Sequence, residues 1–168
     1  MFMEARDTHH AEVLSGSGQL VFDNERRRLL IADTRHHRVV ITDLEGQVTH
    51  VIGTGEEGWA DAVCEESQFR HPHGIAADAD FIYVADTGNH VIRRVNRRAH
   101  QVTTIAGSRK TGRDDGPACE ASFEEPVSLA LADAVLYIAD ARSHTIRALD
   151  LTALTVSTLS LKLSPAGR

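Results

Sequence analysis

The sequence contains one pattern of 53 to 54 residues written three times, and this repeat limits the possible folds more than any other feature. Each copy has an apolar run that ends in Ala-Asp, and these Asp residues are Asp33, Asp86 and Asp140. A polar tetrad and two further runs of alternating residues follow each Asp in the same order. Several landmarks in register indicate a chain built from equivalent structural units.

Alternation and turn residues divide each copy into four short strands. In the second copy the strands are predicted at Gly74–Ala77, Phe81–Ala85, Val91–Val95 and Val102–Ile105. The Thr87–Asn89 segment supplies residues that accept left-handed backbone and bond their own main chain, which favours a hairpin connection. Four short strands per unit are typical of a β-propeller blade.

We therefore predict an all-β β-propeller, a single domain over residues 1–168 with three four-stranded blades. The blades are predicted at about residues 14–53, 69–107 and 123–160, with inter-blade loops at 54–68 and 108–122. Each loop has an acidic, glycine-containing core and closes on an aromatic residue, Phe69 or Phe123. We expect both rings to anchor the start of the next blade in apolar packing.

The second copy resembles an NHL repeat through Pro72, Gly74 and the run Tyr83–Arg93, which contains the Asn-His pair that names the family. At that pair the first copy has His36-His37 and the third has Ser143-His144, so both keep the histidine and lose the asparagine. The long loops are similar, more narrowly, to the propeller of proteins that join a thioredoxin-like domain to NHL repeats. The resemblance covers about residues 14–160. It implies a propeller without redox activity, because the sequence lacks the thioredoxin-like domain and its cysteine pair.

Three blades are too few to close a ring, because propellers typically use about four to eight. A half-ring would expose apolar residues at both ends, for example Leu20–Phe22 in the first blade and Leu136–Ile138 in the third. Two chains related by a two-fold axis would cover these faces. We therefore expect a homodimer that closes a six-bladed ring. The alternatives are that the chain is part of a longer propeller protein, or that a different half-propeller completes the ring.

The composition disfavours several classes of partner. The chain has 18 Lys and Arg against 24 Asp and Glu, and this net charge of −6 opposes general affinity for nucleic acid or anionic membranes. No apolar run approaches the roughly 18–20 residues that span a bilayer. The first ten residues lack the apolar stretch of a signal peptide, so we expect a cytoplasmic protein without a membrane partner. Cys64 and Cys119 have no C-x-x-C spacing and are expected to be free thiols.

Residues that recur by internal symmetry are explained more readily by structure than by chemistry. An Asp that ends a strand at a turn can accept main-chain N–H groups and fix the hairpin. The histidines recur beside these Asp residues and are assigned to packing or hydrogen bonding. The residues predicted to stabilise turns are Asp33, Asp86, Asp140, His37, His90 and His144.

The function predicted from these features is a non-catalytic interaction scaffold that binds a protein or peptide partner through the loops around the channel. No catalytic residue and no cofactor is predicted. The candidate contact residues are Arg35, His36, His71, His73, Asn89, Arg142 and Ser143.

Two alternatives remain open at this point. His71 and His73 lie at a blade entrance and are weak candidates for a metal or substrate site in the channel of an enzyme, but they lack the spacing of a zinc enzyme. A local basic patch could instead bind RNA, although the aromatic content of 5% leaves few rings for base stacking. The arginines of that patch would be Arg26, Arg27, Arg28, Arg93, Arg94, Arg97 and Arg98.

Overall fold

The computed structural model describes residues 14–163, and these form three antiparallel β-sheets. The first sheet contains β1 (Ser17–Asp23), β2 (Arg28–Asp33), β3 (Arg38–Thr42) and β4 (Val48–Ile52). The second contains β5 (Pro72–Ala77), β6 (Phe81–Asp86), β7 (Val91–Asn96) and β8 (Gln101–Ala106). The third contains β9 (Gly116–Pro117), β10 (Pro126–Ala132), β11 (Val135–Asp140), β12 (Thr145–Asp150) and β13 (Thr155–Thr158). The prediction of an all-β fold with antiparallel sheets is confirmed.

Each copy of the repeat forms four strands in which consecutive strands are neighbours. The second and third strands are joined by a short 3-10 turn at Thr34–His36 in the first sheet and at Thr87–Asn89 in the second. The next residue is His37 or His90, with φ of 50° and 58°, and His144 has φ of 56° at the equivalent point of the third sheet. Left-handed backbone is uncommon for residues other than glycine. The three histidines therefore occupy one special turn position.

The long connections bond to the outer edge of the sheet that follows them. Before the second sheet, the Cys64 N–H donates to the His100 carbonyl at 3.0 Å and the Val102 N–H donates to the Ala62 carbonyl at 2.8 Å. Before the third sheet, β9 pairs with β13. The third sheet therefore has five strands instead of the predicted four. A segment within the predicted loop 108–122 satisfies main-chain groups that the edge strand would otherwise leave unpaired.

Two apolar cores lie between the sheets. One core joins the first and second sheets and includes Leu30, Val39, Ile75, Ile82 and Val95. The other joins the second and third sheets and includes Tyr83, Ile92, Leu129, Leu136 and Leu149. Phe69 belongs to the first core and Phe123 to the second, and both are fully buried at the end of a long connection.

The strands that begin the three repeats are β1, β5 and β10. They are neighbours, with β5 between the other two. Gln19 on β1 links all three of them. Its Oε1 accepts the N–H groups of Ile75 and Leu129, each at 3.1 Å, and its Nε2 donates to the Leu129 carbonyl at 3.1 Å. The three sheets are therefore in contact with one another along β1, β5 and β10.

A buried arginine ties the second sheet to the connection that precedes it. Arg93 is fully buried, and its guanidinium donates to Asp86 and Asp61, each at 2.8 Å. Asp61 also accepts the Thr104 N–H at 2.9 Å. The Arg93 guanidinium lies over the Phe69 ring, 4.9 Å from its centroid.

The third sheet repeats this arrangement and the first does not. Arg147 is fully buried and donates to Asp115 at 2.7 Å, and its Nη1 lies 3.7 Å from Asp140. In the first sheet Val40 occupies the position of Arg93, and Arg38 donates to Asp33 at 2.8 Å instead. Each Asp that ends a second strand therefore lies close to an arginine.

Both cysteines are free thiols, as the sequence predicts. Cys64 is buried and Cys119 is exposed. Burial raises the pKa of the Cys64 thiol to about 11, so this side chain stays protonated near neutral pH. Among residues 14–163, no helix has the length and apolar character needed to cross a membrane.

Candidate functional site at the turn face

The residues predicted to contact a partner gather at one end of the sheets. Asp33, Asp86 and Asp140 end β2, β6 and β11. Each pairs with the start of the preceding strand of its repeat, as in Ser17 with Asp33 and Pro72 with Asp86. The turns after these Asp residues and the entries to the first strands therefore share one end, here called the turn face. It carries all seven candidates: Arg35, His36, His71, His73, Asn89, Arg142 and Ser143.

The Asp residues hold the turn face together through main-chain hydrogen bonds. Asp33 accepts the Ser15 N–H at 2.7 Å, and Asp86 accepts the Arg70 N–H at 2.7 Å. Asp140 accepts the N–H groups of both Glu124 and Glu125. These bonds fix the approach to each first strand against the turn at the end of each second strand.

Hydrogen bonds also depress the pKa of Asp33. Burial alone would raise this pKa, but bonds from the Ser15 N–H, Arg38 and His36 outweigh burial and hold it below its ordinary value. The carboxylate is therefore charged at neutral pH and bonded on both oxygens.

Two of the candidate contact residues are buried. Asn89 donates from Nδ2 to the Gly58 carbonyl at 2.8 Å and to Asp86 at 2.9 Å. The Ser143 hydroxyl donates to the Asp140 carbonyl at 3.0 Å. Both side chains are used within the chain, so a partner would meet other residues first.

The remaining candidates are accessible to different degrees. Arg35, His71, His73 and Arg142 are exposed, and His36 is half-buried with its Nδ1 2.9 Å from Asp33. The His73 Nδ1 lies 3.1 Å from the Val127 carbonyl at the entry to the third sheet. The accessible part of the turn face is therefore rich in arginine and histidine.

A cluster of His37, Glu57 and His71 lies at the junction of the first two sheets. One potential ligand atom from each residue lies within 4.8 Å of the other two. The His71 N–H donates to the His37 Nδ1 at 3.1 Å, and the two rings meet edge to face with centroids 4.5 Å apart. Arg70 donates to Glu57 at 2.7 Å.

The three side chains are of types that bind metal ions, but the Glu57 carboxylate is already paired with Arg70. Burial, and then the neighbouring His71, hold the pKa of His37 below its ordinary value, so its imidazole is neutral at pH 7. Imidazole nitrogens and a carboxylate are ligands that Zn²⁺ prefers. Binding would require Glu57 to release Arg70. Of the two histidines predicted as weak metal candidates, His71 belongs to this cluster and His73 does not.

The arginines of the predicted basic patch do not share one surface. Arg93 is fully buried, and the Arg94 guanidinium lies over the Phe81 ring, 4.7 Å from its centroid. Arg26, Arg28 and Arg97 instead surround a cavity between the first two sheets, away from the turn face. Arg93 therefore cannot contribute to a surface that binds RNA.

Sequence reasoning missed Glu57 and Gln19, and it assigned His37 to the turn without its contact to Glu57. Glu57 and His37 are 20 positions apart and meet only because the long connection folds back over the first turn. Gln19 is the one polar side chain in the run Gly18–Phe22, and a polar residue inside an apolar strand is a signal that could have identified it.

Comparison with known proteins agrees with the repeat. The profile described as NHL repeat matches residues 69–94. The NHL repeat-containing protein 2 of Gallus gallus is 39% identical over 143 residues, which cover 79% of this chain and 20% of that protein. The protein of the same description from Bos taurus is 36% identical over 144 residues, with the same two coverages. The chain thus spans about one fifth of the length of these relatives.

Solved structures have the same fold. A protein of unknown function from Bacteroides thetaiotaomicron superposes with a TM-score of 0.74 at 24% identity, over 81% of this chain and 37% of that one. An auxiliary nutrient binding protein from the same species superposes with a TM-score of 0.58 at 18% identity, over 84% of this chain and 36% of that one. In both cases the match accounts for little more than a third of the larger chain. The repeat, the profile match and the relatives lead to one conclusion: this chain contains an NHL repeat and is similar over 79% of its length to NHL repeat-containing proteins.

Proposed function

We propose that this chain is a non-catalytic interaction scaffold, a half-propeller of three blades that self-associates into a six-bladed ring and binds a protein or peptide partner at its turn face. The proposed blades are residues 14–53, 69–107 and 123–160, in a single domain with inter-blade loops at 54–68 and 108–122. The observation that carries the proposal is the pair of incompletely covered apolar faces at the two ends of the stack of sheets.

One of these faces belongs to the third sheet. On the second sheet, Tyr83 and Ile92 face the third sheet and are 3% and 0% exposed. Tyr137 and Ile146 occupy the equivalent positions on the third sheet, and both are only half-buried. Tyr137 and Ile146 are thus the same residue types at the same positions, but no described sheet packs on them.

The other face belongs to the first sheet. Ile75 and Leu129 pack against the sheet that precedes theirs and are 0% and 3% exposed. Leu20 is the equivalent residue of β1 and is 56% exposed, and Phe22 on the same face is 46% exposed. The two end faces therefore carry the two halves of the interface that already joins neighbouring sheets.

A second copy of the chain is the occupant that this complementarity favours. The third sheet of one protomer would pack on the first sheet of the other, and a two-fold axis would form this contact twice and close the ring. Burying exposed leucine, phenylalanine and tyrosine surface stabilises such an interface by about 25 cal/mol per Å² of apolar area.

Light scattering coupled to size-exclusion chromatography tests the assembly. We expect a mass of about twice the 18.4 kDa of one chain. Ile146→Glu places a charge on the end face and is expected to give the monomer. Leu44→Glu is the matched control, because Leu44 is 45% exposed in the β3–β4 turn and should leave the dimer intact. A stable monomer of the unmodified chain contradicts the proposal.

Peptide selection tests the turn face as a recognition surface. Peptides selected from a random library against the dimer are expected to lose binding when Arg35 and Arg142, both exposed, are changed to Glu. The Leu44→Glu protein should keep the binding. Selected peptides that bind both proteins equally would place recognition elsewhere.

A metal-dependent enzyme is the second candidate, and the His37, Glu57 and His71 cluster is the observation that favours it. Equilibrium dialysis against Zn²⁺ tests this alternative. Stoichiometric binding that His71→Ala abolishes and His73→Ala preserves would favour a metal site. Binding no stronger than that of the His71→Ala protein would remove this candidate.

A further inference from the structure

The chain contains two equivalent grooves between sheets, which allows one to serve as a reference for the other. Arg97 follows β7, and its N–H donates to the Asp80 carbonyl at 3.0 Å. Leu151 follows β12, and its N–H donates to the Ala134 carbonyl at 2.9 Å. His100 and Leu154 correspond in the same way, because each accepts the N–H of a residue in the preceding long connection. Arg97 and His100 of the second sheet thus occupy the positions of Leu151 and Leu154 in the third.

The groove between the second and third sheets is filled with apolar side chains. Phe81, Ile105, Leu131 and Leu151 pack against the core that joins these sheets. Leu151 in this groove has the position that Arg97 has in the other.

The groove between the first and second sheets contains a cavity of about 110 Å³. An engineered apolar cavity of about 150 Å³ binds benzene, so a space of this size suits a ligand part of about four or five carbon atoms. The apolar part of the lining includes Leu30, Ile41, Val51, Ile52, Ile82 and Val95.

Arg97 lines this cavity, and one nitrogen of its guanidinium group has no hydrogen-bond partner among the described residues. Its side chain is only 9% exposed, and Nη1 donates to Asp23. Nε donates to the Phe81 carbonyl at 3.4 Å. The Nη2 is buried and has no hydrogen-bond partner among the described residues. The Nε groups of Arg93 and Arg147 are likewise buried without a partner among the described residues, but of the three arginines only Arg97 lines this cavity, so an acceptor bound here could complement its Nη2.

The charge around the cavity favours an anionic acceptor. Three guanidinium groups, those of Arg26, Arg28 and Arg97, line it together with two carboxylates, Asp23 and Glu65. Asp23 is already engaged, because it accepts from Arg97 and from the Arg26 N–H. Arg26 also lies 4.0 Å from Asp23, and the Arg28 Nη1 lies 3.4 Å from the His50 Nδ1. Three guanidinium groups thus share two carboxylates around the cavity.

We propose that this cavity is a binding site for an aliphatic carboxylate, with the apolar chain inside the cavity and the carboxylate against Arg97, Arg26 and Arg28. Arginine is well suited to the acceptor, because its planar guanidinium offers paired donors to a carboxylate. The apolar lining disfavours inorganic phosphate, which has no apolar part to bury. The ligand is either a free short-chain acid or the carboxyl-terminal residue of a peptide, since both present the same chemistry. The site lies within one chain and does not depend on the proposed function.

Isothermal titration with 3-methylbutanoate tests the site, and 3-methylbutanamide is the matched uncharged probe. We expect the acid to bind at least tenfold more tightly than the amide. N-acetyl-Gly-Gly-Leu with a free carboxyl group and its carboxamide form the second pair of probes. Selective binding of the peptide acid over both the peptide amide and the free acid would identify the peptide terminus as the source. The titration extends to millimolar ligand, at 20 times the protein concentration. If neither acid binds under these conditions, the proposal is overturned.

Variants separate the site from the fold. Arg97→Met keeps the length of the side chain and removes the charge, and it is expected to weaken binding of the acid at least tenfold. Arg98→Met is the control, because Arg98 is exposed and does not line the cavity. Val51→Phe fills the cavity from its wall without changing Arg97 and is expected to abolish binding. Thermal unfolding of each variant confirms that it is folded, and full binding by folded Arg97→Met or Val51→Phe protein would overturn the proposal.

Discussion

Arg93 shows how strongly one side chain can determine the stability of this fold. The guanidinium and the Asp86 carboxylate are both fully buried and bonded at 2.8 Å. Arg93→Met leaves that carboxylate without its counter-ion, and breaking a buried pair in this way costs about 3–5 kcal/mol. We expect a decrease of this size in the free energy of unfolding measured with urea. Arg98→Met, at an exposed site, should change it by no more than about 0.5 kcal/mol. Equal stability of the two variants would contradict the role assigned to Arg93.

Acid should unfold the protein through carboxylates such as Asp33. Its pKa is lower in the folded chain than in the unfolded chain, because the hydrogen bonds from Ser15, Arg38 and His36 outweigh burial. The unfolded state therefore binds more protons as the pH falls. The stability that Asp33 contributes is present above its unfolded pKa of about 3.9 and is lost as the pH falls through the folded pKa.

The measurement is urea unfolding at pH 7 and pH 3. Asp33→Asn cannot gain or lose this proton, so the variant should be less stable at pH 7 and should lose less stability between the two pH values than the unmodified protein. Glu66→Gln, at an exposed position of the long connection, is the control. An unchanged pH dependence in Asp33→Asn would show that other groups govern acid unfolding.

At the scale of elements, the long connections behave as parts of the sheets and depend on close contacts. Gly53 begins the first connection with φ of 104°, and a Cβ there would lie 3.0 Å from the Phe69 ring and 3.2 Å from the His37 carbonyl. Gly46 has φ of 88°, but a Cβ there would meet nothing within 4 Å. Both Ala substitutions strain the backbone by about 1–2 kcal/mol. Only Gly53→Ala adds a steric clash.

Comparison of the two variants isolates the packing of the connection. We expect Gly53→Ala to lower the free energy of unfolding by at least about 1 kcal/mol more than Gly46→Ala does, in line with typical overpacking costs. Equal losses would mean that the connection moves away from the sheet without cost.

The elements also show what the sequence could predict. Alternation and the Ala-Asp endings predicted four strands in each copy and located those of the second copy, because local pattern and turn chemistry determine them. β9 was not predicted, since Gly116-Pro117 has no strand pattern and pairs only because the edge of β13 is adjacent. The contact of His37 with Glu57 was missed for a similar reason. Periodicity assigns a residue to its place in a unit and does not specify which side chain of the next connection will reach it.

For the whole molecule, the arrangement of the cores determines where assembly should occur. Each inter-sheet core is formed by one face of a sheet and the opposite face of the next, and Gln19 links the first strands of all three sheets. Within residues 14–163, no further element covers the outer face of the third sheet. Tyr137, Ile146, Leu20 and Phe22 are the surface on which the next contact would form.

If a second copy makes that contact, thermal stability must depend on protein concentration. Association that involves only the folded state stabilises it by mass action, so the Tm of the unmodified chain should rise as its concentration is increased from 1 to 100 µM. Ile146→Glu should remove this dependence while leaving a folded monomer, because Ile146 is half-buried on an end face and outside both cores. Leu44→Glu should keep it. Differential scanning fluorimetry over the concentration series distinguishes these outcomes, and a Tm of the unmodified chain that is independent of concentration would contradict assembly through the end faces.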